Sequence, residues 1–170
     1  GEGTGKRQMK KYAEMINAEN PDLILIAGDL IDNSVTPLYR EQMQEELSML
    51  KAPMGIYSVA GNHEYISGIE RSAQFLTKTP VVLLRDTIVS LPNGVQIIGR
   101  DDRSNRHRRK LEDMMIETNA EYPIIVMDHQ PYDLYKSDSL KVDLQLSGHT
   151  HRGQVWPASL LTDKMYEQSY

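Results

Sequence analysis

Val142-Asp143-Leu144-Gln145-Leu146-Ser147-Gly148-His149-Thr150-His151 alternates apolar and polar residues, stops at a glycine and then delivers two imidazoles two residues apart. Alternation marks a strand with one face buried, and the glycine lets the backbone turn sharply at its end. Two histidines at a strand end can aim at two neighbouring points, and neutral imidazole is the commonest metal ligand. Three similar clusters of polar, metal-ligand residue types stand at strand ends upstream. Leu23 to Ala27 leads into Gly28-Asp29-Leu30-Ile31-Asp32, Ile56 to Ala60 into Gly61-Asn62-His63-Glu64, and Ile124 to Met127 into Asp128-His129-Gln130-Pro131.

Helical patterns separate these strands. Met9, Tyr12, Ala13 and Ile16 recur at i, i+3, i+4 and i+7, which predicts an amphipathic helix over Lys6 to Asn20 that the following Pro21 ends. Leu23 to Ala27 reads as a strand buried on both faces. A polar loop, Gly28 to Pro37, leads to a second helix over about Leu38 to Leu50 with Met43, Leu47 and Leu50 as its stripe. Gly61 to Gly68 reads as a loop before a third helix that turns Ile69, Ala73 and Leu76 inward. Val81 to Leu84, Thr87 to Leu91 and Val95 to Gly99 are β-rich, and Pro92-Asn93-Gly94 signals a hairpin between the last two. A charged stretch, Arg100 to Lys110, precedes a helix around Leu111, Met114, Met115 and Thr118. Alternating helices and short apolar strands imply an α/β layer architecture with helices on both faces of the sheet. In such sheets the crevice for ligands lies outside the carboxyl ends of the strands. The four polar clusters all fall there.

The 170 residues suffice for one domain spanning 1–170. A formal net charge of −5 argues against broad electrostatic binding to nucleic acid or anionic membranes. Cysteine is absent, so any metal must be held by nitrogen and oxygen, and the composition fits a reducing compartment. The apolar runs are far shorter than the roughly 20 residues a membrane helix requires, and the polar start at Gly1 shows no signal-peptide pattern.

Each cluster has a bland reading taken singly. Gly-Asp after a strand is often a capped turn, Asn62 suits an Asx turn, and His129 suits a hydrogen-bonded loop histidine. Four of them at successive strand ends point to a shared site.

On the motifs GDLID, GNHE, the histidine of DHQP, and GHTH, the chain from about Gly28 to Pro157 resembles the calcineurin-like metallophosphoesterases. The resemblance implies a four-layer sandwich of two mixed β-sheets flanked by helices. It implies two divalent metal ions (manganese, iron, zinc or nickel), which would activate a hydroxide toward a phosphoester substrate. Asp29 would bridge the two ions. Asn62, His129 and His149 would complete one site, and His151 would serve the other. His63 would protonate the leaving oxygen or stabilise charge on the phosphoryl group. Asp32 and Glu64 would orient histidines or backbone rather than ligate.

The family carries a further Asp-x-His motif before GDLID, and none of the histidines (His63, His107, His129, His149, His151) precedes Gly28. The expectation is truncation at both ends, one metal site more complete than the other, and impaired hydrolysis by the chain as given. Arg100, Arg103 and Arg152 could offer guanidinium groups to a phosphate, whereas a solvated loop balancing Asp101 and Asp102 is the bland alternative for the first two. Trp156 with Pro157 would pack the end of the GHTH loop. The competing readings are a non-catalytic scaffold on this fold and a structural single-metal protein. Gly153-Gln154 and Trp156-Pro157 resemble members with an N-terminal membrane anchor, so a parent protein would be membrane-associated. Otherwise a soluble, bacterial cytoplasmic domain is expected.

Overall fold

The computed structural model describes residues 2–31 and 37–149, with side chains from 10–31 and 40–149. Asp32, His151, Arg152, Trp156 and Pro157 lie outside the described residues. In chain order the elements are α1 (Glu2–Ala18), β1 (Ile24–Ile26), α2 (Pro37–Ser48), β2 (Ile56–Val59), α3 (Asn62–Ile66), α4 (Ile69–Leu76), β3 (Val81–Leu84), β4 (Thr87–Ser90), β5 (Gln96–Gly99), α5 (Leu111–Ile116), β6 (Ile124–Met127), α6 (Leu134–Ser139) and β7 (Leu144–Leu146).

The strands form two sheets. One holds β1-β2-β3, all parallel, with Ile24 opposite Ile56 and Ile56 opposite Val81. The other has the order β4-β5-β6-β7, with β4 antiparallel to β5 and the rest parallel. The β4–β5 pair is the hairpin that Pro92-Asn93-Gly94 predicts, with Gly94 at φ 92°.

The period-2 alternation of side chains explains the layering. Ile24 and Ile26 of β1 pack with Ala13, Met43, Leu47 and Leu76 on the helical side, while Leu23 and Leu25 turn toward Val59, Leu84, Ile97 and Met127. On β5, Ile97 faces that same inter-sheet cluster, whereas Ile98 faces Leu111, Met114, Ile124 and Val126 on the outer side. The helices and the two sheets thus stack as helix, sheet, sheet, helix, which is the two-sheet sandwich the resemblance implies. Each fully buried aliphatic side chain contributes about 1.5–3 kcal/mol relative to exposure. The inter-sheet cluster therefore sets how the two sheets sit against each other.

Several expectations need correction. Gly61 to Gly68 is not simply a loop: Asn62–Ile66 form the one-turn α3. Such a segment is too short for an apolar stripe to betray it. The helix α6 also has no such stripe. On α4 the buried pair is Ser72 and Leu76, and Ala73 is only half-buried. The α1 stripe is shallow, since Ala13 is buried while Tyr12 and Ile16 are 51% and 37% exposed. That helix ends at Ala18, with Asn20 in left-handed geometry at φ 49° before Pro21.

Candidate metal centre

The carboxyl ends of β1 and β2, from one sheet, meet those of β6 and β7, from the other. After β1 the chain passes Gly28 at φ 91° and Asp29 at φ 55°. A left-handed aspartate is uncommon, and such strain persists only where surrounding bonds impose it. Here Glu64 imposes it. Its carboxylate, 1% exposed, accepts the N–H groups of Asp29 (3.0 Å), Gly61 (2.8 Å) and Ile31 (2.8 Å). These are charge-assisted bonds, stronger than neutral ones. They fasten the turn after β1 to the turn after β2.

With its backbone so fixed, Asp29 turns its carboxylate into the crevice. Oδ1 accepts the N–H of His63 at 3.0 Å, and Oδ2 lies 3.1 Å from Nε2 of His129. Asn62, at the start of α3, places Oδ1 3.2 Å from His129 Nε2 and 3.1 Å from His149 Nδ1. The rings of His129 and His149 stand edge to face, 5.2 Å apart at 83°. One donor atom each from Asp29, His129 and His149 falls within a 4.8 Å span.

The orientation of His129 tests whether these residues fit a metal. Its Nδ1 lies 2.7 Å from the carbonyl oxygen of Ala27, an acceptor only, so Nδ1 carries the proton and donates. In the neutral imidazole Nε2 then presents a lone pair to Asp29 Oδ2 and Asn62 Oδ1. Three lone-pair donors turned on one another repel, and a cation shared between them makes the arrangement attractive. The carbonyl bond that fixes the tautomer is the kind of support metal-binding histidines receive. The residues fit a divalent cation with mixed nitrogen and oxygen ligands, and the set does not discriminate among manganese, iron, zinc and nickel.

Two glycines make room for that bond. A Cβ on Gly28 would lie 2.6 Å from His129 Nδ1, and one on Gly148 would lie 2.7 Å from the Ala27 oxygen. Gly148 also donates its N–H to the His129 carbonyl at 2.9 Å, and His149 follows at φ 61°.

The structure thus brings together Asp29, Asn62, His129 and His149, with the His63 backbone and Glu64 beside them. Arg100 and Arg103 are engaged elsewhere. Arg100 donates to Asp128 (2.9 Å) and to the Arg109 carbonyl (3.1 Å), and its side chain is 11% exposed. Burial lowers its pKa, with Asp128 opposing that shift. Arg103 pairs with Asp133 at 2.9 Å and lies 4.7 Å over the Tyr132 ring. Sequence reasoning missed Asp128, which precedes His129 and is gripped by both Arg100 and Arg108. It also missed Asp101, buried at 2% exposure, which accepts the Tyr65 hydroxyl at 2.7 Å. The available signal was the repeated opposition of acids and arginines across Arg100 to Asp133.

Comparison with known proteins agrees with this geometry. The family model described as calcineurin-like phosphoesterase matches residues 4–153. A Helicobacter pylori (strain ATCC 700392 / 26695) protein described as an uncharacterized metallophosphoesterase is 36% identical over 153 residues, covering 87% of this chain and 40% of that protein. An Aquifex aeolicus protein of the same description is 33% identical, covering 81% of this chain and 54% of its own length. A Danio rerio protein described as a transmembrane protein with metallophosphoesterase domain is 28% identical over 95% of this chain and 40% of itself. The chain therefore spans between 40% and 54% of these relatives.

Proposed function

The chain belongs to the calcineurin-like phosphoesterase family, and from that premise we propose that it carries the metal-binding core of a metal-dependent phosphoester hydrolase. The observation that carries the reading is the convergence of Asp29 Oδ2 and Asn62 Oδ1 on a His129 Nε2 whose partner nitrogen is committed to Ala27. Divalent ions bound there would polarise phosphate oxygens and make hydroxide available near neutral pH.

In this proposal Asp29, Asn62, His129 and His149 hold one ion. With a second ion, Asp29 and His151 would be the residues of this chain to hold it. The Asp29 carboxylate has a second oxygen, held by the His63 N–H, so that bond fixes its plane. His63 follows Asn62 on α3 and is half-buried. It serves as proton donor to the leaving oxygen or as a positive partner for the phosphoryl group. Glu64 holds the Asp29 backbone in its left-handed conformation and touches no reacting atom.

Among the described residues no helix is long and apolar enough to cross a membrane. The description of the zebrafish relative supports, for the whole protein, attachment to a membrane through a part outside this chain.

The test is hydrolysis of bis-p-nitrophenyl phosphate by the full-length protein with manganese, with and without His63→Ala. Turnover that falls about 10²–10⁴-fold in the variant, at unchanged metal content, is the expected result. Complete inactivity of the unsubstituted protein with bound metal favours a non-catalytic scaffold instead.

A further inference from the structure

The metal centre is assembled from two separate sheets, yet the three residues after β5 supply no donor to it. Arg100-Asp101-Asp102 nevertheless contact both halves. Toward the first sheet, Asp101 Oδ2 accepts the hydroxyl of Tyr65 at 2.7 Å. Tyr65 sits on α3 three residues after Asn62, one turn away on the same face. The same oxygen accepts Asn105 Nδ2 at 3.0 Å and Arg85 Nε at 3.4 Å, and Arg85 reaches the Tyr65 oxygen at 3.3 Å. Burial, followed by the bond to Asp101, pushes the Tyr65 phenol up to about 12, so it remains a donor throughout the physiological range.

Toward the second sheet, the grips fall on either side of His129. Arg100 donates to Asp128 at 2.9 Å. Arg108 Nη1 donates to both Asp128 oxygens, at 3.2 and 3.3 Å, and to the Asp101 carbonyl at 3.1 Å, which joins the two acids. Asp102, wholly buried, accepts Gln130 Nε2 at 3.4 Å and is itself fixed by the Ser104 N–H at 2.9 Å. The loop is anchored in turn by Asp86, whose carboxylate accepts the N–H groups of Asp101 (2.9 Å) and Arg109 (2.8 Å).

We propose that Arg100-Asp101-Asp102 is a positioning clamp, with Asp101 setting the rotation of α3 through Tyr65 while Arg100 and Asp102 hold Asp128 and Gln130, the chain neighbours of His129. The clamp rests on the metal-centre reading, because its effect is to bring Asn62 and His129, one from each sheet, to a common ion. Arg100 accordingly acts through Asp128 and not on the substrate. Its many charge-assisted bonds give the cluster a directional stiffness that apolar contact between the sheets lacks, although Arg100 Nε is buried without a hydrogen-bond partner.

The experiment is Co²⁺ titration of the full-length apo-protein, read by the visible d–d bands, for the unsubstituted protein, Tyr65→Phe and Arg103→Ala. Tyr65→Phe removes one hydroxyl and keeps the ring. Arg103→Ala breaks an ion pair of the same loop that is not part of the clamp. Working well below the melting temperature of each protein removes any contribution from unfolding. Tyr65→Phe is expected to weaken Co²⁺ binding about 10–100-fold and to alter the bands, as loss of outer support does at metal sites. Arg103→Ala is expected to leave both unchanged. Unchanged affinity and bands in Tyr65→Phe overturn the clamp, and an equal loss in Arg103→Ala overturns its specificity. Absence of Co²⁺ binding by the unsubstituted protein overturns the metal-centre reading and the clamp with it.

Discussion

The buried carboxylate of Glu64 accepts the backbone N–H of Asp29 at 3.0 Å. Through this bond a residue 35 positions further along the chain decides which way the central carboxylate points, since Asp29 is held at φ 55°. Glu64→Gln keeps the volume but loses the charge and turns one acceptor into a donor facing backbone N–H groups. A loss of about 1.5–3 kcal/mol in unfolding free energy is expected, the range for hydrogen bonds to charged groups, and urea denaturation measures it. Glu64→Ala, which strands three backbone donors, two of them in buried bonds, should cost more than Glu64→Gln.

Gly28 should tolerate no side chain. At φ 91° an L-residue is strained, and its Cβ would sit 2.6 Å from the ring nitrogen that donates to Ala27. Gly28→Ala is expected to lower stability by about 1–3 kcal/mol and to displace His129. The ring protons of His129 in NMR spectra would report the movement, and an unshifted ring would contradict the steric argument.

Tyr65 supplies a pH dependence with a definite sign. Its folded-state pKa, about 12, lies above the ordinary value of 10.0, chiefly because burial disfavours the phenolate. A raised pKa contributes stability that is fully present below pH 10 and is lost as pH rises toward 12, because the unfolded chain gives up the proton first. Stability of the unsubstituted protein should therefore fall more steeply between those values than that of Tyr65→Phe. Parallel curves from alkaline denaturation of the two proteins would contradict the assignment.

The two halves of the site were unequally legible in the sequence. The four polar clusters could be nominated because each follows a strand whose apolar pattern is plain, and strand ends gather site residues. The choice of Asp29, Asn62, His129 and His149 within them came from the resemblance of GDLID, GNHE, DHQP and GHTH to the family. The hairpin was equally plain, since Asn93-Gly94 has few alternatives. The short α3 left no periodic trace, although it sets the direction of Asn62 and Tyr65. For Arg100 the sequence left a phosphate contact and a solvated loop both open, because a sequence shows a charge but not its partner, and Asp128 lies 28 residues away. Asp101 and Asp102 entered the sequence reading only as charges that a solvated loop would balance, yet both are buried. Long-range polar pairing depends on how the sheets stack, and local pattern does not encode that.

The most direct test is a Mn²⁺ binding isotherm, followed by electron paramagnetic resonance, for the full-length protein beside its His129→Ala variant. His129 is the donor that faces both Asp29 Oδ2 and Asn62 Oδ1. The expected result is saturable Mn²⁺ binding in the unsubstituted protein and a loss of at least about 100-fold in affinity in the variant, while the variant stays folded by circular dichroism. Equal Mn²⁺ affinity in the two proteins would contradict the placement of the ion among Asp29, Asn62, His129 and His149.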